Sequence, residues 1–283
     1  MDQMQISAAL KQAGLGRIIG DIENLEQPSL RLVSQAAGSQ RLEPASSRLG
    51  GLPELPSQMA WPLLNGIPQS FIAQIRLEEL KPYGISADLP SQGLIYFFYD
   101  AHQETYGEKP ADRGGWQVFY YGEDPARLQQ RSAPPGLPAE GLFQPCSISF
   151  YSEITLPGKP DIFLPDFNWT ADEQTRYEDF LYNFPSPQDR SAIHDRLLGH
   201  PDTIQDDMHL QCALMANGIA SIDDPGAEAF AKTSLDWHLL LQVDSDEHAG
   251  MKWASAGMLY FWIKRADLAA GHFDNTWVVL QSD

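Results

Sequence analysis

Two stretches of the chain arrange apolar residues in the same order. The first runs Phe71-Ile72-Ala73-Gln74-Ile75, then Gly93-Leu94-Ile95-Tyr96-Phe97-Phe98, then Trp116-Gln117-Val118-Phe119-Tyr120. The second runs Leu239-Leu240-Leu241-Gln242-Val243, then Gly257-Met258-Leu259-Tyr260-Phe261-Trp262, then Trp277-Val278-Val279-Leu280-Gln281. Short runs rich in β-branched and aromatic residues read as strands. Each stretch sets one glutamine inside an apolar strand and closes on a Trp-led strand. The match predicts an internally duplicated three-strand unit, with copies over residues 48–122 and 236–282 of one domain covering 1–283.

Between the copies the period changes. Thr170 with Asp172 and Glu173 opens a helix carried by Tyr177, Phe180 and Leu181. Ser186-Pro187-Gln188-Asp189 reads as a second start, with Ile193, Leu197 and Leu198 as its apolar face and Gly199 as its cap. A third helix is expected through Ile204, Met208, Cys212 and Met215. Residues 168–218 are therefore read as a helical insert. Residues 1–20 predict a short amphipathic helix ending near Gly14 or Gly16, and 146–154 a half-buried strand. Residues 43–69, rich in Pro and Gly, read as an anchored loop. The order β-rich, helical, β-rich gives an α+β fold with mostly antiparallel sheet. Two Leu-Gly turns, Leu49-Gly50 and Leu198-Gly199, precede the copies and would line a seam between them.

Charge narrows the partners. The chain has 38 acidic and 19 basic residues, a formal net charge of −19. Nucleic acid and anionic membrane surfaces would repel it, and a basic protein would attract it. Solubility alone also accounts for such a surplus. No run has the length and apolarity of a membrane span. Met1-Asp2-Gln3-Met4-Gln5-Ile6 is not a secretory start, so a cytoplasmic location is expected. Cys146 and Cys212 sit in apolar stretches and read as buried free thiols. The oligomeric state is left open.

Candidate chemistry lies in three places. Gln74 and Gln242 occupy matching positions; buried amides need partners, so they would grip a polar ligand across a seam or fasten local loops. The run Gly199-His200-Pro201-Asp202, with Gln205, Asp206, Asp207 and His209, would support acid–base chemistry, hold a cation, or simply cap a helix. Asp244-Ser245-Asp246-Glu247-His248 begins like a calcium loop, but His248 stands fifth, Gly250 seventh and Ser255 twelfth, which excludes an EF-hand. A solvated acidic turn is the ordinary reading, and a looser metal site using Asp244, Asp246 and His248 is the alternative. His200, His209 and Cys212 lack a zinc spacing. Nucleophile elbows, phosphate loops and dinucleotide fingerprints are absent, which removes the common enzyme classes, and no cofactor or resident metal is expected.

Several motifs together resemble the YwqG-like family, bacterial proteins of unknown function. They are Leu49-Gly50-Gly51-x-Pro53, Trp61-Pro62, Phe71-Ile72-Ala73-Gln74-Ile75, Leu89-Pro90-x-x-Gly93-x-x-Tyr96-Phe97-Phe98, Gly199-His200-Pro201 with Ile204-Gln205-x-Asp207-Met208, Leu241-Gln242-x-Asp244-Ser245-Asp246, and Gly257-x-Leu259-Tyr260-Phe261. Asp206 departs from that family's Gln-Gly-Asp-Met pattern. The resemblance implies a duplicated α+β fold and an immunity-type role, and it transfers no catalytic residue. With the acidic surplus, it favours a non-enzymatic binding protein for a basic protein partner. The alternative is an enzyme or small-ligand protein with a polar seam formed by Gln74, Gln242, His200, Asp202 and Gln205.

Overall fold

Ten strands form one antiparallel sheet in a computed structural model that describes residues 1–85, 89–186, 189 and 192–282. In chain order they are β1 (Gln27–Ala36), β2 (Arg48–Leu49), β3 (Ser70–Arg76), β4 (Leu94–Tyr99), β5 (Trp116–Tyr121), β6 (Cys146–Thr155), β7 (Arg196–Leu197), β8 (Trp237–Asp244), β9 (Gly257–Lys264) and β10 (Trp277–Ser282). Across the sheet the order is β10-β9-β8-β7-β1-β6-β2-β3-β4-β5. The two expected three-strand groups occupy its two ends. The long pair β1 and β6 fills the middle, joined to each group by a two-residue strand.

The sheet curls until its ends nearly close a barrel. Trp116 of β5 and Trp277 of β10 meet edge-to-face, with ring centroids 4.8 Å apart. The Trp116 Nε1–H donates to the carbonyl of Thr276, and the Leu280 amide donates to the carbonyl of Tyr106. Covering an edge this way removes a template for unwanted pairing. Phe97 and Phe261 touch at 5.1 Å in the interior.

Both sheet faces are buried where the aromatics are dense. Leu94, Tyr96 and Phe98 of β4 turn outward and pack with Phe71, Leu55 and Tyr121 under Trp61. On the other side Trp262 is covered by His209 at the head of helix α4 (His209–Met215), counted after α1 (Gln3–Gln12), α2 (Ile19–Glu23) and α3 (Ala171–Tyr182). The aromatic stripes are therefore a two-sided core. Helices α1 and α2 pack with α3 in a separate cluster around Tyr177. Capping boxes start α1, Asp2 with Gln5, and α3, Thr170 with Glu173. Both cysteines are buried and free.

Three expectations change. Residues 193–198 are not helical: Arg196 and Leu197 form β7, inserted between β1 and β8. Their apolar spacing fits a helix, but two open sheet edges take up their backbone groups instead. Pro187 and Gln188 of the start expected at Ser186–Asp189 lie outside the described residues. The third of the expected helices begins at His209 rather than near Ile204. Residues 168–218 thus contribute a strand to the main sheet as well as helices. Finally, residues 43–69 contain β2 and three further short strands.

Gly107 sets how closely the sheet ends approach. Its φ is +75°, and a Cβ there would lie 1.8 Å from the Val278 carbonyl oxygen. Gly107→Ala should destabilise the fold by about 3 kcal/mol, read as a lower denaturation midpoint. Gly66→Ala, also at positive φ but with open space around it, controls for the backbone cost alone and should lose only about 1 kcal/mol.

Candidate functional site

The short strand β7 places Arg196 beside Arg31 of β1, so two guanidinium groups lie side by side. Like charges held this close need anions between and around them. Glu153 of β6 bridges them, 3.0 Å from the Arg31 Nε and 3.1 Å from the Arg196 Nε. The second contact is ionic only, because the Arg196 N–H is not aimed at an acceptor. Asp202 lies 2.7 Å from the other end of Arg196, and Asp189 lies 3.2 Å from Arg31.

His194 completes the network. Its Nδ1 is 2.8 Å from the Asp202 carboxylate and its Nε2 is 2.9 Å from the Asp189 carbonyl. Both neighbours are acceptors, so the ring satisfies them fully only as imidazolium. Burial works against that charge, but the Asp202 contact outweighs it and raises the His194 pKa. Burial also opposes charge on Asp202, yet Arg196, His194 and the Gln242 amide hold its carboxyl well below the usual range. The network floors a pocket of about 490 Å³. Glu178 and Leu181 of α3, Phe184 and Met258 form part of its walls.

A two-residue left-handed turn brings Asp202 back over β7. Leu198 has φ +61° and Gly199 has φ +77°. The Asp202 amide donates to the Gln242 Oε1, the Gln242 Nε2 donates to the His194 carbonyl, and the Tyr260 hydroxyl donates to the Asp202 carbonyl.

The same contacts occur after β2. Gly50 and Gly51 have φ +59° and +70°. The Glu54 amide donates to the Gln74 Oε1, the Gln74 Nε2 donates to the Ser46 carbonyl, and the Tyr96 hydroxyl donates to the Glu54 carbonyl. Arg48 pairs with Glu54 at 3.3 Å. A second pocket, of about 310 Å³, lies beside it. The register of the sequence match shifts slightly. Leu49 corresponds to Leu197, not Leu198, since these two pair with Ala73 and Leu241 in the neighbouring strands. Trp277 corresponds to Gln117, not Trp116, since these two pair with Trp262 and Phe98.

The structure does not gather the sequence candidates at one seam. Gln74 and Gln242 lie on β3 and β8, with four strands between them, and each fastens its own loop. His200 is buried; its Nε2–H donates to the Leu25 carbonyl, and burial pulls its pKa down to about 4. Gln205 ties its loop to β10 through Gln281 and Ser282. Asp207 accepts from the His209 amide and ring. Asp244 accepts from the amides of His194 and Ser245, while the buried Asp246 accepts from Ser34 and the His248 amide. Asp206 forms an ion pair with Lys159. Only Asp202 of these candidates lines the larger pocket. Among the described residues no group of three His, Cys, Asp or Glu is placed to hold a metal.

Sequence reasoning passed over Arg31, Arg196, Glu153, His194, Arg48 and Glu54. The signal was present as Arg-Leu-x-Gly-x-Pro-acid, at 48–54 and again at 196–202.

His200 makes stability depend on pH. Its folded pKa, about 4, lies below the ordinary 6.5, so the unfolded chain binds the proton first on acidification. Its contribution is complete above pH 6.5 and is lost as pH falls towards 4, by about 3 kcal/mol. His200→Gln keeps an N–H for Leu25 and should flatten this part of the curve in denaturant titrations at successive pH values.

No curated protein matches the chain. A family model does, over residues 47–282, from the position before Arg48 to the end of β10. The chain belongs to the family described as Domain of unknown function (DUF1963).

Proposed function

We propose that the protein is a non-enzymatic binding protein for a basic protein partner, and that the larger pocket receives a lysine or arginine side chain. The observation that carries this is the make-up of that pocket. Four carboxylates, Glu153, Asp189, Asp202 and Glu178, line it together with two guanidinium groups and the His194 imidazolium, which leaves one negative charge beside an apolar wall of Leu181, Phe184 and Met258. An amphipathic cation matches both parts, with an apolar stem and a charged head. The net charge of −19 adds long-range attraction for the same partner. The ring nitrogens of His194 and His200 that have bonds are committed to fixed acceptors, which supports binding over acid–base catalysis.

The fold reading goes with it. The paired loops, the matching glutamines and tyrosines, and the like placement of β2 and β7 support an internal duplication about a pseudo-twofold axis. Irregular pairing at Phe71/Ala73 and at Leu239/Leu241 falls at the same distance before each glutamine. The axis would run near the facing pair Val33 and Ser149. The YwqG-like resemblance supports the narrower form, an immunity-type protein of the bacterial cytoplasm. Among the described residues no helix is long and apolar enough to cross a membrane.

A short lysine- or arginine-rich peptide is the direct probe, followed by calorimetry over a salt series. The wild type should bind it, weakening as salt rises. The exposed Glu178→Lys variant should bind roughly tenfold less tightly without a change in denaturation midpoint. No binding by the wild type, or equal binding by Glu178→Lys, would sink the assignment.

A further inference from the structure

Arg48 and Arg196 hold corresponding places, but their surroundings differ. Arg196 has two carboxylate partners, Glu153 and Asp202, and donates to the His200 carbonyl. Among the described residues Arg48 has one, Glu54, and donates to the Glu43 carbonyl. The Arg48 side chain is 4% exposed, and its Nε, like that of Arg196, is buried without an acceptor, but among the described residues no second carboxylate lies beside it as Glu153 lies beside Arg196. A buried donor left unpaired costs its full desolvation.

The strand register explains the difference. Glu153 faces Ser29, one position before Leu30, which pairs with Leu197 of β7. On the other side Ala37 bonds to Pro145, one position before Cys146, which pairs with Leu49 of β2. Ala37 therefore stands for Arg48 where Glu153 stands for Arg196, and it carries no carboxylate. The pocket beside Arg48 measures about 310 Å³ and also presents Arg41, Gln40, Gln130 and Gln144. Within the lining, two guanidinium groups meet the single carboxylate of Glu54, a surplus of one positive charge; the Glu79 carboxylate acts on Arg48 from outside the lining.

We propose that this pocket binds a small organic carboxylate, seated on Arg48 as Glu153 is seated beside Arg196, with Arg41 at the rim. A carboxylate fits the forked donors of a guanidinium, and one negative charge balances the surplus. The volume suits a small molecule. This site is separate from the larger pocket, so its test does not depend on the basic-partner reading.

The experiment follows the Arg48 Nε–H resonance in the full-length protein during titration with acetate, succinate or glutamate. Sodium chloride and inorganic phosphate are parallel arms. A saturable shift with a carboxylate is expected, and Arg41→Ala should weaken it roughly tenfold. Ala37→Glu supplies the missing group from within, so it should abolish the response while keeping or raising the denaturation midpoint. The proposal is overturned if no carboxylate gives a saturable shift, if phosphate alone does, or if folded Ala37→Glu binds like the wild type. Should Ala37→Glu fail to fold, the wild-type titration and the Arg41→Ala comparison decide the matter.

Discussion

A guanidinium taken out of water must meet an anion. The two-residue strands β2 and β7 each carry one into the sheet, and much of the local architecture follows from neutralising it. The acid comes from six positions further along the same chain, Glu54 for Arg48 and Asp202 for Arg196. Bringing it back requires a reversal within those six residues, which accounts for the paired left-handed residues. The returning acid then presents an amide and a carbonyl, which a buried glutamine and a tyrosine hydroxyl satisfy in each copy. Arginine, turn, acid, glutamine and tyrosine thus form one interdependent unit, made twice.

The unit also joins the halves to the middle of the sheet. Strands of two residues contribute little ladder hydrogen bonding of their own. Yet β2 and β7 connect the outer three-strand groups to β1 and β6. The buried ion pairs reinforce these narrow joints. Their loss would leave an uncompensated charge at the places where the sheet is thinnest.

The strong strands were legible because their chemistry is local. β4 and β9 read as strands from aromatic content, and α1 and α3 from capping residues and periodicity. β2 and β7 were not legible. Neither Arg48-Leu49 nor Arg196-Leu197 has a strand pattern of its own, and both exist because neighbouring edges need partners. The helical reading of 193–198 failed for that reason. The glutamines were rightly singled out as buried amides in need of partners, but their separation across the sheet depends on strand order, which no local signal encodes. The ionic network was missed because Arg31, Glu153 and Arg196 come from three distant segments. Nothing in any one of them marks the other two.

The two turns follow one backbone path with different residues. A Cβ on Gly50 would lie 2.4 Å from the Gln144 carbonyl oxygen, so that position excludes every side chain. Its counterpart is Leu198, which holds φ +61° while its side chain packs against the core. The first turn is therefore closed to substitution at Gly50. The second accepts a side chain at that position, four residues before the pocket-lining Asp202, at the cost of a left-handed backbone. Shape at this turn is thus set by a side chain in one copy of the unit and by bare backbone in the other.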